Sequence, residues 1–296
     1  MAGVKTEFDQ FIAEEIERNR GVMVPARASW LERFFVRKAR TEKLHPNPDD
    51  EFCDPAVGPN SRIIAEYVQT IVRTKSLQPS GYEDPIVVEK VRPDGYMILN
   101  GHHRWAAALQ TGFNPLPISI VNLTQETDIE QMVRNSKHDR RVTLDLDEVV
   151  FCKNEEEAEK PLIYPFNRIF RERIRRGVPA LLHFLSRQGY DIWVYTAQYY
   201  SIEYIRAYFK KYTVKIDGII TGSARKSISG AEARKRMKQL VDNQYVETIH
   251  IDHDTVLRTQ NNTGTFEEFA VNTESSAWSV AVMDIIKQFG SEEQKQ

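Results

Sequence analysis

Cysteine is nearly missing from this chain: its 296 residues hold only Cys53 and Cys152. Two thiols cannot build a disulfide framework, so a reducing compartment, the cytoplasm, is expected. Long apolar runs are missing too. No stretch approaches the roughly 20 residues that cross a bilayer, and no membrane partner is expected. The opening MAGVKTEFDQFIAEE is acidic and lacks the apolar centre of a secretory signal. An excess of either charge is also absent, since 40 Lys and Arg stand against 42 Asp and Glu, a formal net charge of -2. That balance excludes histone-like, charge-driven binding to nucleic acid, while leaving room for a local basic patch. What is present is apolar material for real cores, 41% hydrophobic and 10% aromatic, which excludes wholesale disorder. The length is generous for one domain and comfortable for two.

Residues 1–28 read as a helical extension, with Phe8, Phe11, Ile12 and Ile16 at helical spacing and Gly21 closing it. After Ser29 a second short helix has Trp30, Leu31, Phe34 and Phe35 as its core side. Residues 45–60, HPNPDDEFCDPAVGPN, carry four prolines and form a loop. Ile63, Ile64, Tyr67, Val68, Ile71 and Val72 then keep a helical period. The runs PIVVEKV and YMILN bracket a turn, RPDG, as two strands. A helix from Gly101 to Gly112 and a strand over Pro117 to Val121 complete a domain at 29–123. Polar residues 124–139 are expected to be the linker.

The rhythm changes at 140. Val142, Leu144 and Leu146 alternate with Thr143, Asp145 and Asp147 in RVTLDLDEVV. A helix pattern from Asn167 to Arg187 is interrupted by Pro179. Next come strand DIWVYTA and a helix carrying Ile202, Ile205, Tyr208, Phe209 and Tyr212. Strand IDGII, a basic helix around 231–242 and strand TIHID follow. Strands alternating with helices predict an α/β domain over 140–290 with a parallel sheet, and a disordered tail at 291–296.

Asp145 and Asp147 fall at the C-terminal end of a predicted parallel strand, where open α/β sheets place their ligand crevice. Two carboxylates there need a cation or a proton between them, and Mg²⁺ suits hard oxygen ligands. One aspartate can then attack phosphorus while the other handles the proton. Downstream, a strand ends in Thr196, Lys226 follows the next strand, and another ends in Asp252 and Asp254. Attack, orientation, charge neutralisation and metal holding are what phosphoryl transfer requires.

This ordered set, DLDEVV, YTA, a lysine, then IDHD, resembles the haloacid dehalogenase (HAD) superfamily of phosphohydrolases over residues 140–290. The resemblance implies a Rossmannoid fold, Asp145 as nucleophile and Asp147 as acid/base. It also implies Thr196 and Lys226 on the phosphate and Asp252 on Mg²⁺, with Asp145, Asp147 and Asp254 completing the metal group. Two features depart from the pattern. Asp254 lies two positions beyond Asp252, and Lys235 or Lys238 is an alternative to Lys226. Residues 151–190 leave room for little or no cap, hence an open site.

In the first half, NGHHRWAAALQTG follows a strand and opens a helix. Gly101 permits close approach of a ligand, and helix N-terminal amides with Arg104 suit a phosphate. His102 and His103 add donors or proton transfer. The series PIVV, turn, YMILNGHHRWAAAL, Gly, Pro, Ile-Ser-Ile-Val resembles the ParB/sulfiredoxin fold family, an α+β fold in which a Gly-x-x-Arg turn holds nucleotide phosphates. The GHHR form is similar to members acting as nucleotide-dependent small-molecule kinases, with ATP, ADP or CTP as ligand. That resemblance implies an acid near the turn, with Glu51 preferred over Asp49 and Asp50.

The primary expectation is a Mg²⁺-dependent phosphatase acting through an aspartyl phosphate on a phosphorylated small molecule, joined to a nucleotide-binding domain. A serine-type kinase in the first domain is the alternative. A nucleotide- or DNA-sensing protein with a structural second half is the third reading, and nucleic acid is not the expected partner. The run Arg168, Arg171, Arg173, Arg175 and Arg176 reads as a solvated helix face.

Overall fold

The computed structural model describes residues 7–19, 22–54, 56–77, 84–222, 230–261, 263–272 and 277–293. The chain divides between Asn122 and Leu123 into two compact units.

The first unit runs α1 (Glu7–Asn19), β1 (Val24–Pro25), α2 (Trp30–Phe35), β2 (Lys38–Ala39), β3 (Leu44–His45), α3 (Ser61–Thr74), β4 (Ile86–Arg92), β5 (Tyr96–Asn100), α4 (His102–Thr111) and β6 (Leu116–Val121). Its mixed sheet has the order β2-β6-β4-β5-β3, with β1 on β4. The β4–β5 hairpin is antiparallel, whereas β6 pairs β4 and β3 pairs β5 in parallel. Ile86, Val88, Ile98, Trp105, Ala106, Ala107 and Ala108 form a dry core. The three alanines let α4 lie close against what it covers.

Helix α2 departs from the sequence expectation. Ser29 caps it as anticipated, accepting the Glu32 amide at 3.1 Å. Yet Trp30, Leu31, Phe34 and Phe35 are 66%, 50%, 59% and 67% exposed. A six-residue helix whose large side chains all lie on the outer arc has no core face to supply.

The second unit runs α5 (Glu126–Arg134), β7 (Arg140–Asp145), α6 (Phe166–Ile169), α7 (Val178–Arg187), β8 (Asp191–Thr196), α8 (Ile202–Lys210), β9 (Gly218–Thr221), α9 (Gly230–Gln244), β10 (Glu247–Ile251), β11 (Thr255–Gln260), β12 (Thr265–Ala270) and α10 (Trp278–Glu293). Residues 124–139 are therefore no linker. They carry α5, whose capping box exchanges hydrogen bonds between Gln125 and Asp128. Pro179 starts α7 in its first turn rather than interrupting a helix, because a missing amide there costs nothing.

The sheet order is β12-β11-β10-β7-β8-β9. The four strands β10, β7, β8 and β9 are parallel, and β11 and β12 add an antiparallel edge that the sequence reading did not anticipate. Val142, Leu144, Ile192, Val194, Ile249 and Ile251 fill one sheet face and are at most 3% exposed. The strand order reverses at β7, between β8 on one side and β10 on the other, which opens a crevice at their C-terminal ends.

Candidate functional site

Two places collect the chemistry-bearing residues, one in each unit. In the first, β5 ends at Asn100 and Gly101 turns the chain into α4 with φ +107, a conformation L side chains rarely adopt. A Cβ there would lie 2.9 Å from Arg104 Nη2 and 3.1 Å from Ile86 Cγ1. With no side chain, Gly101 offers no cap to the first-turn amides of α4. Those amides, at the positive end of the helix dipole, are the kind of group an anion can take. Arg104 is buried, and its Nη1 donates to the Asp84 carbonyl and lies 2.9 Å from Asp84 Oδ2.

His102 and His103 are placed differently from donors facing a ligand. His102 Nε2 accepts the Asn47 amide at 3.1 Å, and His103 Nε2 accepts the Asn60 amide at 3.2 Å. Each proton therefore belongs on Nδ1. His102 Nδ1 lies 3.5 Å from Asp50 Oδ1. Phe52 stacks on the His102 ring at 5.3 Å and meets His103 edge-on at 5.1 Å. The histidines thus pin the proline-rich loop onto the turn. Burial pulls His102 down to about 4, with Asp50 opposing and His103 assisting, and burial lowers His103 as well.

The loop carboxylate that reaches the turn is Asp50, not the preferred Glu51. Glu51 is exposed, whereas Asp50 caps the short turn over Glu51–Cys53 by accepting the Phe52 amide at 2.9 Å. Asp49 is half-buried, and its Oδ2 is buried without a hydrogen-bond partner. An aspartate heading a short helical turn was the signal for Asp50.

In the second unit, Asp145 closes β7 and Asp147 lies in the one-turn helix over Leu146–Val150. Asp145 Oδ1 accepts the amides of Asp147 at 2.6 Å and Glu148 at 3.0 Å, so this carboxylate caps the turn. Asp147 faces β8: Thr196 Oγ1 lies 3.0 and 2.9 Å from its two oxygens, and the Ala197 amide donates to Oδ2 at 2.9 Å. Thr196 is fully buried, so its hydroxyl is fixed by Asp147. Ile251 of β10 pairs with Leu144 of β7, which sets Asp252 beside Asp145 across the crevice. Asp252 is exposed, and its Oδ1 accepts the His253 amide at 2.6 Å. Asp254 is exposed beyond it.

Lys226 lies outside the described residues, and Lys235 and Lys238 are exposed on α9. His250 was not anticipated as a neighbour. It stands two residues before Asp252, on the same sheet face, and shares a 2.5 Å hydrogen bond between Nδ1 and Thr143 Oγ1. Residues 151–177 fold back on themselves through the bridges Phe151–Ile174 and Ala158–Arg175, and α6 is the only α-helix described in that stretch before α7. Tyr200 stacks on Tyr204 at 5.7 Å, and the Tyr204 hydroxyl donates to Glu172. Burial pushes the Tyr200 hydroxyl far up, with Glu172 and Asp147 adding to it.

Among the described residues no three His, Cys, Asp or Glu are grouped to hold a metal ion. The donor chemistry still suits Mg²⁺. Asp145 and Asp252 carry hard oxygens on neighbouring strand ends, and each uses only Oδ1 for backbone amides. Mg²⁺ keeps several waters and takes one or two carboxylates plus a substrate phosphate.

A family model described as the ParB N-terminal domain matches residues 36–136. The truncated chromosome-partitioning protein ParB from Caulobacter crescentus, solved with CTP-gamma-S, is 27% identical over 35% of this chain and 55% of that one, with a TM-score of 0.24. This chain therefore matches little more than half of that protein's length. A free serine kinase in complex with AMP is 14% identical over 79% of this chain and 88% of that one, with a TM-score of 0.23. No curated protein matches by sequence.

Proposed function

We propose that the chain is a phosphotransfer enzyme: its second unit hydrolyses phosphomonoesters, and its first unit holds a nucleoside phosphate. The observation that carries the phosphatase reading is the position of Asp145 and Asp147 at the reversal of strand order, with Asp147 bonded to the Thr196 hydroxyl. This is the arrangement that the resemblance to HAD phosphohydrolases implies.

In that reading the Asp145 oxygen not bonded to the turn attacks phosphorus. The ester oxygen leaves as an alcohol, taking its proton from the Asp147 carboxyl, and the phosphoryl group remains on Asp145. Asp147, now ionised, accepts a proton from water as the water attacks the phosphorus, which returns phosphate and free Asp145. Thr196 and the Ala197 amide hold Asp147 in line through both steps. Mg²⁺, held by Asp145 and Asp252, would supply charge neutralisation at the phosphate.

In the first unit the uncapped start of α4 and the fixed Arg104 support phosphate binding, and the similar ParB structure was solved with CTP-gamma-S. Should that unit also transfer phosphate to a small hydroxyl compound, Asp50 is the acid its geometry favours.

The test is hydrolysis of p-nitrophenyl phosphate with Mg²⁺ by the whole chain and by Asp145→Asn. Wild type is expected to turn over, and the variant to lose at least a hundredfold in kcat while keeping its circular dichroism. Equal rates, or no turnover by wild type, overturn the assignment.

A further inference from the structure

The outer arc of α2 and the cavity beside it form a second surface of the first unit that neither candidate site uses. Around the helix, with about 100° per residue, Trp30, Phe34, Leu31 and Phe35 share one arc. Glu32 and Val36 come next on the circumference. Those last two line a cavity of about 350 Å³ together with Lys38, Ala39, Arg40, Lys43, Lys90 and Tyr96. An exposed aromatic ridge therefore borders a basic cleft.

The charges in the cleft do not cancel. Lys90 donates to Glu32 at 2.7 Å, and Lys43 pairs with Asp94. Lys38 and Arg40 are exposed and have no carboxylate partner among the described residues. Two uncompensated cations thus face a concavity, and a third, Arg37, lies 5.6 Å over the Phe34 ring. Four large side chains on a six-residue helix, each at least half exposed, are an apolar patch of the kind that marks a contact surface.

From this juxtaposition we infer that the ridge and cleft bind a single-stranded nucleic acid, bases on the rings of Trp30, Phe34 and Phe35 and phosphates at Lys38 and Arg40. Aromatic platforms beside a basic groove are how such strands are held, because every base has a face to stack and every linkage a charge. Two other occupants fit less well. A second copy of the chain, meeting this face with its own, would bring the same unbalanced cations together. A bilayer is flat and cannot enter the cleft, so it would leave Lys38 and Arg40 partly unused. The net charge of -2 does not oppose the inference, since the excess is local.

The experiment is fluorescence anisotropy of a labelled 15-nucleotide DNA strand of mixed sequence, titrated with the whole chain at 50 mM salt and above. Binding is expected to fall with salt at a slope near −1.4 on logarithmic axes, as for two neutralised phosphates on a single strand. A triple variant, Trp30→Ala, Phe34→Ala and Phe35→Ala, and a double variant, Lys38→Glu and Arg40→Glu, are each expected to weaken binding at least tenfold with an unchanged melting temperature. Excess CTP is expected to leave binding intact, separating this surface from the Gly101 turn. The inference is overturned if no binding appears at 50 mM salt, if neither variant weakens it, or if CTP abolishes it. It also falls if the aromatic variant instead removes binding to phosphatidylserine vesicles, or removes a dimer, in a chain that ignores the oligonucleotide.

Discussion

Thr196 Oγ1 sits 3.0 and 2.9 Å from the two oxygens of Asp147, so one buried hydroxyl holds a whole carboxylate in place. The Ala197 amide braces the same group from its Oδ2 side. In the proposed reaction Asp147 gives and takes a proton at one spot, so swinging freely would gain it little, and this bond removes that freedom.

Replacing Thr196 by Val keeps its volume and deletes the donor. The expected cost to folding is about 1 kcal/mol, because half-buried Asp147 retains the Ala197 amide and reaches water. The expected loss in kcat on p-nitrophenyl phosphate is tenfold to a hundredfold, with Thr196→Ser recovering most of it. Equal kcat values for all three forms would show that the bond is structural only.

His102 makes the first unit sensitive to acid. Its folded value near 4 lies below the ordinary 6.5, so the unfolded state takes up the proton first. No penalty exists above about pH 7. As the pH falls from 6.5 toward 4, roughly 3 kcal/mol is lost from this group. Protonation also removes the acceptor of the Asn47 amide. Hydrogen exchange at that amide is therefore expected to quicken between pH 6.5 and 4.5, after correction for intrinsic rates, and to stay flat in His102→Gln.

Glu247 and Arg258 form a pair in which each side chain is 4% exposed, at 2.7 Å, and Tyr190 donates its hydroxyl to Glu247 at 2.7 Å. Glu247→Ala leaves a guanidinium buried without this partner, and urea denaturation should register a loss of about 3–5 kcal/mol. Pairing Glu247→Met with Arg258→Leu is expected to restore part of it, since Arg258 in the single variant stays buried with its 3.6 Å contact to Glu267 in place of the close Glu247 pair.

Gly101→Ala forces a Cβ to within 2.9 Å of Arg104 at a positive φ. The strain is about 1–3 kcal/mol, visible as a lower melting temperature. ADP is expected to raise the melting temperature of wild type and to leave that of this variant unchanged, because the crowded turn no longer admits a phosphate. Full ADP stabilisation of the variant would move the ligand elsewhere.

Periodicity made much of this molecule legible. Val142 and Leu144 alternate with Thr143 and Asp145, which identified a half-polar strand ending in acids. Gly101 and Gly112 bracket a helix that the structure begins and ends beside those residues. Other parts were hidden for physical reasons. The apolar residues of α5, Ile129, Met132 and Val133, are few among charges, so the segment read as a linker. Strand β12 is the exposed edge, where no apolar alternation is needed, and β11 beside it mixes Val256 with Thr, Arg and Gln. The ridge of Trp30 to Phe35 looked like core because sequence records which residues are apolar and not what covers them. Asp50 was passed over for Glu51 because a one-residue choice between acids is settled only by where the turn begins.

The cap at Asp145 divides one side chain between two tasks, with consequences for any substitution there. Its Oδ1 keeps the following turn wound, and its other oxygen is the one to which the proposed reaction gives the attack. Asparagine still presents an Oδ1 to both amides, whereas alanine presents nothing. The two replacements are therefore not interchangeable controls: the first removes the proposed nucleophile on an intact scaffold, and the second unlatches the scaffold itself.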